Sequence, residues 1–435
     1  MPPAFPGSAS AEPVYDEPRM RSRLSRRQVY RRRRIVVFGG VALALATLVY
    51  LPLTLLAPLP AAAVTVTAPQ EAVPPTVPLV FPEYGASGIA AVGVDGVLGP
   101  SDLLGQSGST DPRPMASITK VITALVVLES FPLALGEAGP TVTMSGVDVG
   151  YYGEYLAQNG TVSTVQAGMT FTERELLELT LVKSANNYTK SLMMWAFGSQ
   201  DAYLAAARAW LADHGLDRIV VNEPTGIDPS NVGPVDQVVE VGRIALGHPV
   251  VAEIVATPEV GVANLGALPN TNALLGVDGV DGIKTGTLDD FGANLLFSAD
   301  YAVGSSTVTL VGVVLGGPSH DRIDSDILAL LASTIANFSE VEVAADAEVF
   351  AAYATVWGVE ASAIASERAS LLVWSADPLE SEVVTEDVTT GLAGDDVGDL
   401  VFRAGSRSVT IDLELALDVP DPGPWWRLTH PGALF

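Results

Sequence analysis

The chain has 435 residues and is 48% hydrophobic, enough for two or three domains with a sizeable core. It contains no cysteine, which excludes disulfides, thiol catalysis and cysteine metal sites. The net charge of −27 is unevenly placed: residues 1–34 hold nine of the 23 bases but three of the 50 acids, leaving a body of 14 bases against 47 acids. Such a body repels nucleic acid, so no nucleic-acid partner is expected.

Residues 1–34 are rich in Pro, Ser and Arg without apolar periodicity and read as a disordered basic tail. Arg31-Arg32-Arg33-Arg34 then leads into residues 35–57, an uncharged run long enough to cross a bilayer, with Pro52 positioned to kink it. Basic residues on the N-terminal side put the tail in the cytoplasm and the body outside it. A cleaved signal peptide, with small residues at Ala61-Ala62-Ala63, and a twin-arginine signal at Ser25-Arg26-Arg27 are the other readings of this segment. The long basic region and the length of the run favour an uncleaved single-pass anchor. Residues 58–84 carry Pro58, Pro60, Pro69, Pro74, Pro75, Pro78 and Pro82 and read as a semi-rigid, extended linker.

The folded body is expected to span residues 85–338. Gly88 to Leu98, with a turn at Asp95-Gly96, reads as a strand pair. A helix follows Ser117 and ends before Pro132, and residues 140–170 are mixed, with short strand-like pieces. Thr172-Glu173-Arg174-Glu175 is a capping box that opens a helix leading to Ser184. Further helices are predicted at 187–197 and 200–214, the second with Tyr203, Leu204, Ala207 and Leu211 on one face. Residues 222–226 are a loop, and the Gly-punctuated stretch 279–287 precedes strands at 293–299 and 306–315. A helix over 321–337, with Ile323, Ile327, Leu330, Leu331 and Ile335 inward, closes the body. Beyond it, residues 345–435 read as a small β-rich C-terminal domain. Val409, Ile411, Leu413, Leu415 and Leu417 alternate there with period two, and an aromatic end, Trp425 to Pro431, is expected to pack on it.

Three short motifs carry chemistry. Ser117 and Lys120 form S-x-x-K, which on a helix puts a hydroxyl and an amine on one face, a nucleophile with a base beside it. Ser184-Ala185-Asn186 is an S-x-N, 67 residues on, and Lys284-Thr285-Gly286 is a K-T-G, 167 residues on. Any one of them occurs by chance, but two of the four lysines in the chain fall in them, and their order and spacing are specific. The four histidines (214, 248, 320 and 430) lie far apart without a metal-binding spacing, so they read as structural or exposed, and neither metal nor organic cofactor is expected. No G-x-S-x-G occurs.

The set resembles the penicillin-binding proteins and serine β-lactamases. It is most similar to the D-alanyl-D-alanine carboxypeptidases of peptidase family S11. The wording that carries this is Arg113-Pro114-Met115-Ala116-Ser117-Ile118-Thr119-Lys120, Leu181 to Asn187, Pro224-Thr225-Gly226-Ile227-Asp228, and Val280 to Gly286. The resemblance implies an α/β (α+β) fold, the penicillin-binding-protein and serine β-lactamase-like transpeptidase fold. In it, an antiparallel sheet flanked by helices joins a helical lobe, with the site between them.

The resemblance also implies the roles. Ser117 attacks the carbonyl of a peptidoglycan stem peptide ending in D-Ala-D-Ala, Lys120 acts as its base, and Ser184 relays a proton to the leaving D-alanine. Asn186 binds the substrate amide and Lys120, while Lys284, Thr285 and Thr287 hold the terminal carboxylate and Gly286 leaves room for the peptide. The backbone N–H groups of Ser117 and Thr287 form the oxyanion hole. β-Lactams would be trapped as covalent inhibitors at the same serine. Lys120 must be neutral to accept a proton, and burial together with the positive charge of Lys284 is expected to lower its pKa.

Thr287 departs from the histidine many relatives carry after K-T-G. A serine β-lactamase is the nearest alternative. Glu223 lies at the spacing of a deacylating glutamate, but position 227 is Ile rather than the required Asn. A catalytically silent cell-wall or β-lactam-binding protein is the other alternative. Carboxypeptidase, endopeptidase and transpeptidase action are not separated by these motifs.

Overall fold

The computed structural model describes residues 26–69, 75–92, 103–375, 377–405 and 407–435. Residues 1–25, the turn at Asp95-Gly96 and Ser25 of the twin-arginine reading lie outside the described residues.

The first helix, α1 (Arg26–Leu55), takes in the basic cluster as well as the apolar run, with Pro52 inside it. The expected disordered tail therefore needs correcting over residues 26–34. Arg31 to Arg34 directly precede the apolar run, and arginine is a good helix former, so the helix extends back through them. It is long and apolar enough to cross a membrane, and its most apolar 18-residue window is unburied, although Thr54 near its end is buried.

The expected semi-rigid, extended linker is tied to the body at two places. Strand β1 (Ala63–Val66) pairs antiparallel with the C-terminal sheet, in register Ala63 to Ala354 and Val66 to Ala351. Beyond it, Val77 N–H donates to Asn337 Oδ1 and Val80 N–H to Ser333 Oγ. A proline-rich chain has few N–H groups to pair, but those of Val77 and Val80 find acceptors on the body, so residues 77–80 lie against it.

Strands β2 (Ala86–Val92) and β3 (Gly105–Gly108) come next, then helix α2 (Thr119–Ser130). Helices α3 (Gly146–Leu156), α4 (Glu173–Leu181), α5 (Asn186–Phe197) and α6 (Gln200–Asp213) build a lobe around α2. Residues 119–128 of α2 are buried on every side, as a helix apolar all round must be. The predicted capping box is present, with Thr172 Oγ1 accepting from Glu175 N–H and Glu175 from Thr172 N–H. Helix α3 was not predicted. Its signal is a second box, Ser145 with Asp148, in front of a Gly- and Tyr-rich segment of weak periodicity.

Helices α7 (Val235–Gly247) and α8 (Pro249–Val255) lead to strands β4 (Val280–Leu288), β5 (Gly292–Val303) and β6 (Ser306–Gly317), then helix α9 (His320–Ile335). These strands join the first two in an antiparallel sheet of order β4-β5-β6-β2-β3. Strand alternation sorts its side chains. Leu296, Val311 and Val313 face the core shared with α7 and the helical lobe, while Leu295, Phe297 and Leu310 face α9. Ile323, Ile327, Leu330 and Leu331 of α9 are fully buried there, each contributing about 1.5–3 kcal/mol.

The remaining strands are β7 (Phe338–Ala344), β8 (Val349–Ala354), β9 (Glu360–Ala365), β10 (Ala369–Trp374), β11 (Leu379–Thr385), β12 (Asp396–Ala404) and β13 (Arg407–Leu415). Six strands form an antiparallel sheet of order β1-β8-β9-β13-β12-β11 over its own core. Strands β7 and β10 form a ribbon whose Phe338, Leu372 and Trp374 pack with the α9 face of the first sheet. The last helix, α10 (Gly423–Thr429), touches both the C-terminal domain and α1: Trp426 meets Trp357 edge-on, and Tyr50 of α1 donates its hydroxyl to Leu428 O.

Candidate active site

Ser117 lies in one 3-10 turn, Ala116–Ile118, that runs directly into α2. Its neighbours Met115, Ala116 and Ile118 are buried, so the deep apolar helix fixes the turn and leaves Ser117 half-exposed at its end. Lys120, one turn on, is fully buried. Its Nζ stands 2.8 Å from Ser117 Oγ and donates to Thr225 O at 2.6 Å. Burial brings the Lys120 amine down to about 7, against an opposing pull from Glu223. At neutral pH a large share of it is therefore the free amine, which can accept the Ser117 hydroxyl proton across that contact.

The loop that supplies Thr225 is built on Glu223. One carboxylate oxygen accepts from Thr225 N–H and its hydroxyl, and the other accepts from Asn231 Nδ2 at 2.6 Å and from Gly226 N–H. Thr123 of α2 fastens the loop by donating to Pro224 O at 2.7 Å. Gly226 has φ +79°, and a Cβ there would lie 1.8 Å from Ala116 O, so only glycine lets the loop close on the Ser117 turn.

The second wall comes from the junction of α4 and α5. Ser184 holds a left-handed backbone, φ +61°, as does Ala116 at φ +51°. Such non-glycine positions cost about 1–3 kcal/mol each and persist where the surroundings enforce them. Asn186 opens α5. Its N–H donates to Thr161 O, and its Oδ1 is buried without a partner. The expected Asn186–Lys120 hydrogen bond is corrected, because the amine of Lys120 is directed to Thr225 O instead.

The third wall is β4, the edge strand of its sheet. The K-T-G was expected just ahead of the strands, but it lies within one, where its glycines hide the alternation. Lys284 is buried and donates to Thr285 O at 3.0 Å. Burial first, and then the charge of Lys120, holds its amine well below the usual lysine range. Burial is the leading cause of both shifts, as expected for Lys120, and the mutual repulsion of the two amines adds to it. Thr285 Oγ1 pairs with Thr271 Oγ1 at 2.6 Å, and a Cβ on Gly286 would meet Ser117 N at 3.0 Å. The strand therefore runs against the serine turn with its edge open to an extended peptide.

These walls enclose a cavity of about 370 Å³. Ser117, Ser184, Asn186, Thr285, Gly286 and Thr287 all line it, with Lys120 and Lys284 buried beneath. Sequence reasoning missed other parts of the lining: Asn159-Gly160-Thr161, Thr271, and His320 from the start of α9. His320, read as structural or exposed, meets Thr287 Oγ1 at 2.8 Å through Nε2. Nothing in its sequence neighbourhood marks it, since 33 residues separate the two.

A family model described as D-alanyl-D-alanine carboxypeptidase, peptidase S11, matches residues 95–319, just over half the chain. A D-alanyl-D-alanine endopeptidase of Pseudomonas aeruginosa is 31% identical over 150 residues, 34% of this chain and 45% of its own length. The D-alanyl-D-alanine carboxypeptidase DacC of Escherichia coli is 27% identical over 225 residues, 51% of this chain and 54% of its own. The chain thus spans about half the length of the curated relatives it matches. Among solved structures, penicillin-binding protein 5 from Haemophilus influenzae aligns over 81% of this chain and all of its own with a TM-score of 0.54 at 18% identity. The Streptomyces K15 DD-transpeptidase aligns over 61% of this chain and all of its own with a TM-score of 0.51 at 20% identity. Both likenesses show the expected penicillin-binding-protein fold. The chain belongs to the D-alanyl-D-alanine carboxypeptidase family, peptidase family S11.

Proposed function

We propose that this chain is a serine D-Ala-D-Ala carboxypeptidase that removes the terminal D-alanine from peptidoglycan stem peptides. The single observation that carries the reading is the 2.8 Å approach of a buried, easily neutralised Lys120 amine to Ser117 Oγ at the edge of the cavity. Lys120 takes the Ser117 proton as the hydroxyl attacks the penultimate D-alanine carbonyl. Ser184 passes a proton to the leaving amine, D-alanine departs, and water hydrolyses the ester. The backbone N–H groups of Ser117 and Thr287 receive the oxyanion, Asn186 the substrate amide, and Lys284, Thr285 and Thr287 the terminal carboxylate. β-Lactams acylate the same serine. The α1 helix anchors the chain with its N-terminus in the cytoplasm and the active site on the cell-wall side.

Endopeptidase action is a second reading, favoured by the relatives that bear that name. The β-lactamase alternative lacks support in the geometry. Glu223 spends both carboxylate oxygens on its own loop and does not reach the cavity lining. Incubating the full chain with a muropeptide pentapeptide and with cross-linked dimers tests all three. Loss of one D-alanine, abolished in Ser117→Ala, is expected together with a long-lived penicilloyl adduct on Ser117. Unchanged release by that variant, or rapid penicillin turnover, would sink the assignment.

A further inference from the structure

His320 is the first residue of α9, on an element that none of the three motifs touches. It lines the cavity together with Thr287 and Asp289, half-buried, and its Nε2 is 2.8 Å from Thr287 Oγ1. Thr287 in turn follows Lys284 by three residues on the edge strand. The end of the cavity where a terminal carboxylate is proposed to sit therefore holds one buried lysine amine, two threonine hydroxyls and an imidazole.

We propose that His320 is a specificity-determining residue of this site, a titratable member of the carboxylate-binding group that strengthens recognition of a free C-terminal carboxylate when it becomes protonated. This rests on the peptidase reading above. The charged groups that act on the imidazole are Lys284 from β4 and Asp321 beside it on α9, while Asp289 from the turn after β4 lines the same cavity. Burial and the charge of Lys284 lower the pKa of His320 below its ordinary 6.5, and Asp321 opposes them. In the empty site the imidazole is thus neutral at pH 7 and holds Thr287. A carboxylate entering between Lys284 and Thr287 cancels the repulsion from Lys284, so binding draws a proton onto His320, and the imidazolium donates a charge-assisted hydrogen bond. Affinity for the carboxylate rises as pH falls toward 6, independently of the proton transfer at Lys120.

The test is D-alanine release by the full chain from diacetyl-L-Lys-D-Ala-D-Ala between pH 5.5 and 8.5, with kcat and KM resolved. The wild-type KM is expected to fall about three- to tenfold between pH 7.5 and 6, the worth of one charge-assisted hydrogen bond. His320→Gln, which keeps a partner for Thr287, is expected to show a pH-independent KM. His320→Ala is expected to raise KM about five- to tenfold at pH 6 while kcat stays within about threefold. A wild-type KM indifferent to pH, a His320→Gln variant that follows the wild type, or a loss confined to kcat overturns the proposal. A wild-type chain that neither releases D-alanine nor takes up penicillin at Ser117 overturns the peptidase reading and this inference with it. Turnover with a KM blind to His320 overturns this inference alone.

Discussion

The Lys120 amine reaches the carbonyl oxygen of Thr225 at 2.6 Å while remaining 2.8 Å from Ser117 Oγ. A neutral amine has two N–H groups and one lone pair, so donating one hydrogen to Thr225 helps turn the lone pair toward Ser117. The loop after residue 222 is therefore as much a part of the proposed machinery as the S-x-x-K itself, and Glu223 holds that loop in shape.

This arrangement sets a pH profile. Lys120 acts as a base only when neutral, and burial brings it down to about 7. The second-order rate of acylation by a fluorescent penicillin is therefore expected to rise with pH through an acid limb near 7. Glu223 pulls the Lys120 pKa upward, so Glu223→Gln should move that limb to lower pH even as the loop loosens. A limb unmoved by the variant would separate Glu223 from the base.

Gly286 is a second point of leverage. A Cβ there would stand 2.9 Å from Ala116 Cβ and 3.0 Å from Ser117 N, tighter than ordinary contact. Gly286→Ala should push β4 and the serine turn apart and slow acylation by at least tenfold, since displacements of about 1 Å are costly at a reacting centre. Circular dichroism should show the fold kept. Wild-type acylation by the variant would refute the role given to this close approach.

Much of this was legible in the sequence. The capping box at Thr172 and the inward face of α9 appear as read, and the period-two run of β13 holds through Leu415, whereas Leu417 lies past the strand and is exposed; each is a local signal that tertiary packing reinforces. The three motifs meet at one cavity for the same reason: their order along the chain reflects the topology that brings them together. Long-range features escaped. The pairing of Ala63 with Ala354 and the approach of His320 to Thr287 join segments with no shared local pattern. Helix α3 and strand β4 were missed because glycines dilute their periodicity, and the backbone carbonyl of Thr225 has no residue-type signature.

Glu173 gives a prediction about stability. It is fully buried at the start of α4, and neither carboxylate oxygen has a partner. Burial, reinforced by Glu137, raises its pKa from 4.5 to about 7. The folded state thus binds this proton more tightly than the unfolded chain, and stability falls as pH rises from about 4.5 through 7. Glu173→Gln copies the protonated form, so it should stabilise the protein by about 1–3 kcal/mol at pH 8 and have little effect at pH 4.5. Thermal melts of both proteins at the two pH values check this. Equal shifts at both would show that the charge is not the cause.

Arg427 of α10 donates to Ala57 O at 2.5 Å and pairs with Asp421 Oδ2 at 2.6 Å, joining the C-terminal helix to the end of α1. Its side chain is only 13% exposed, so the bond to Ala57 is shielded and worth about 1.5–3 kcal/mol, while the pair with the half-exposed Asp421 adds about 0–1 kcal/mol. Trp426 adds contacts to Trp357 and His430. Arg427→Ala should therefore free residues 423–433 without unfolding the rest. Hydrogen exchange of those amides is expected to speed up about tenfold or more, while penicillin acylation of Ser117 stays unchanged, because nothing in α10 lines the cavity. Exchange as slow as in the wild type would assign the docking to the Trp426 contacts instead of the arginine.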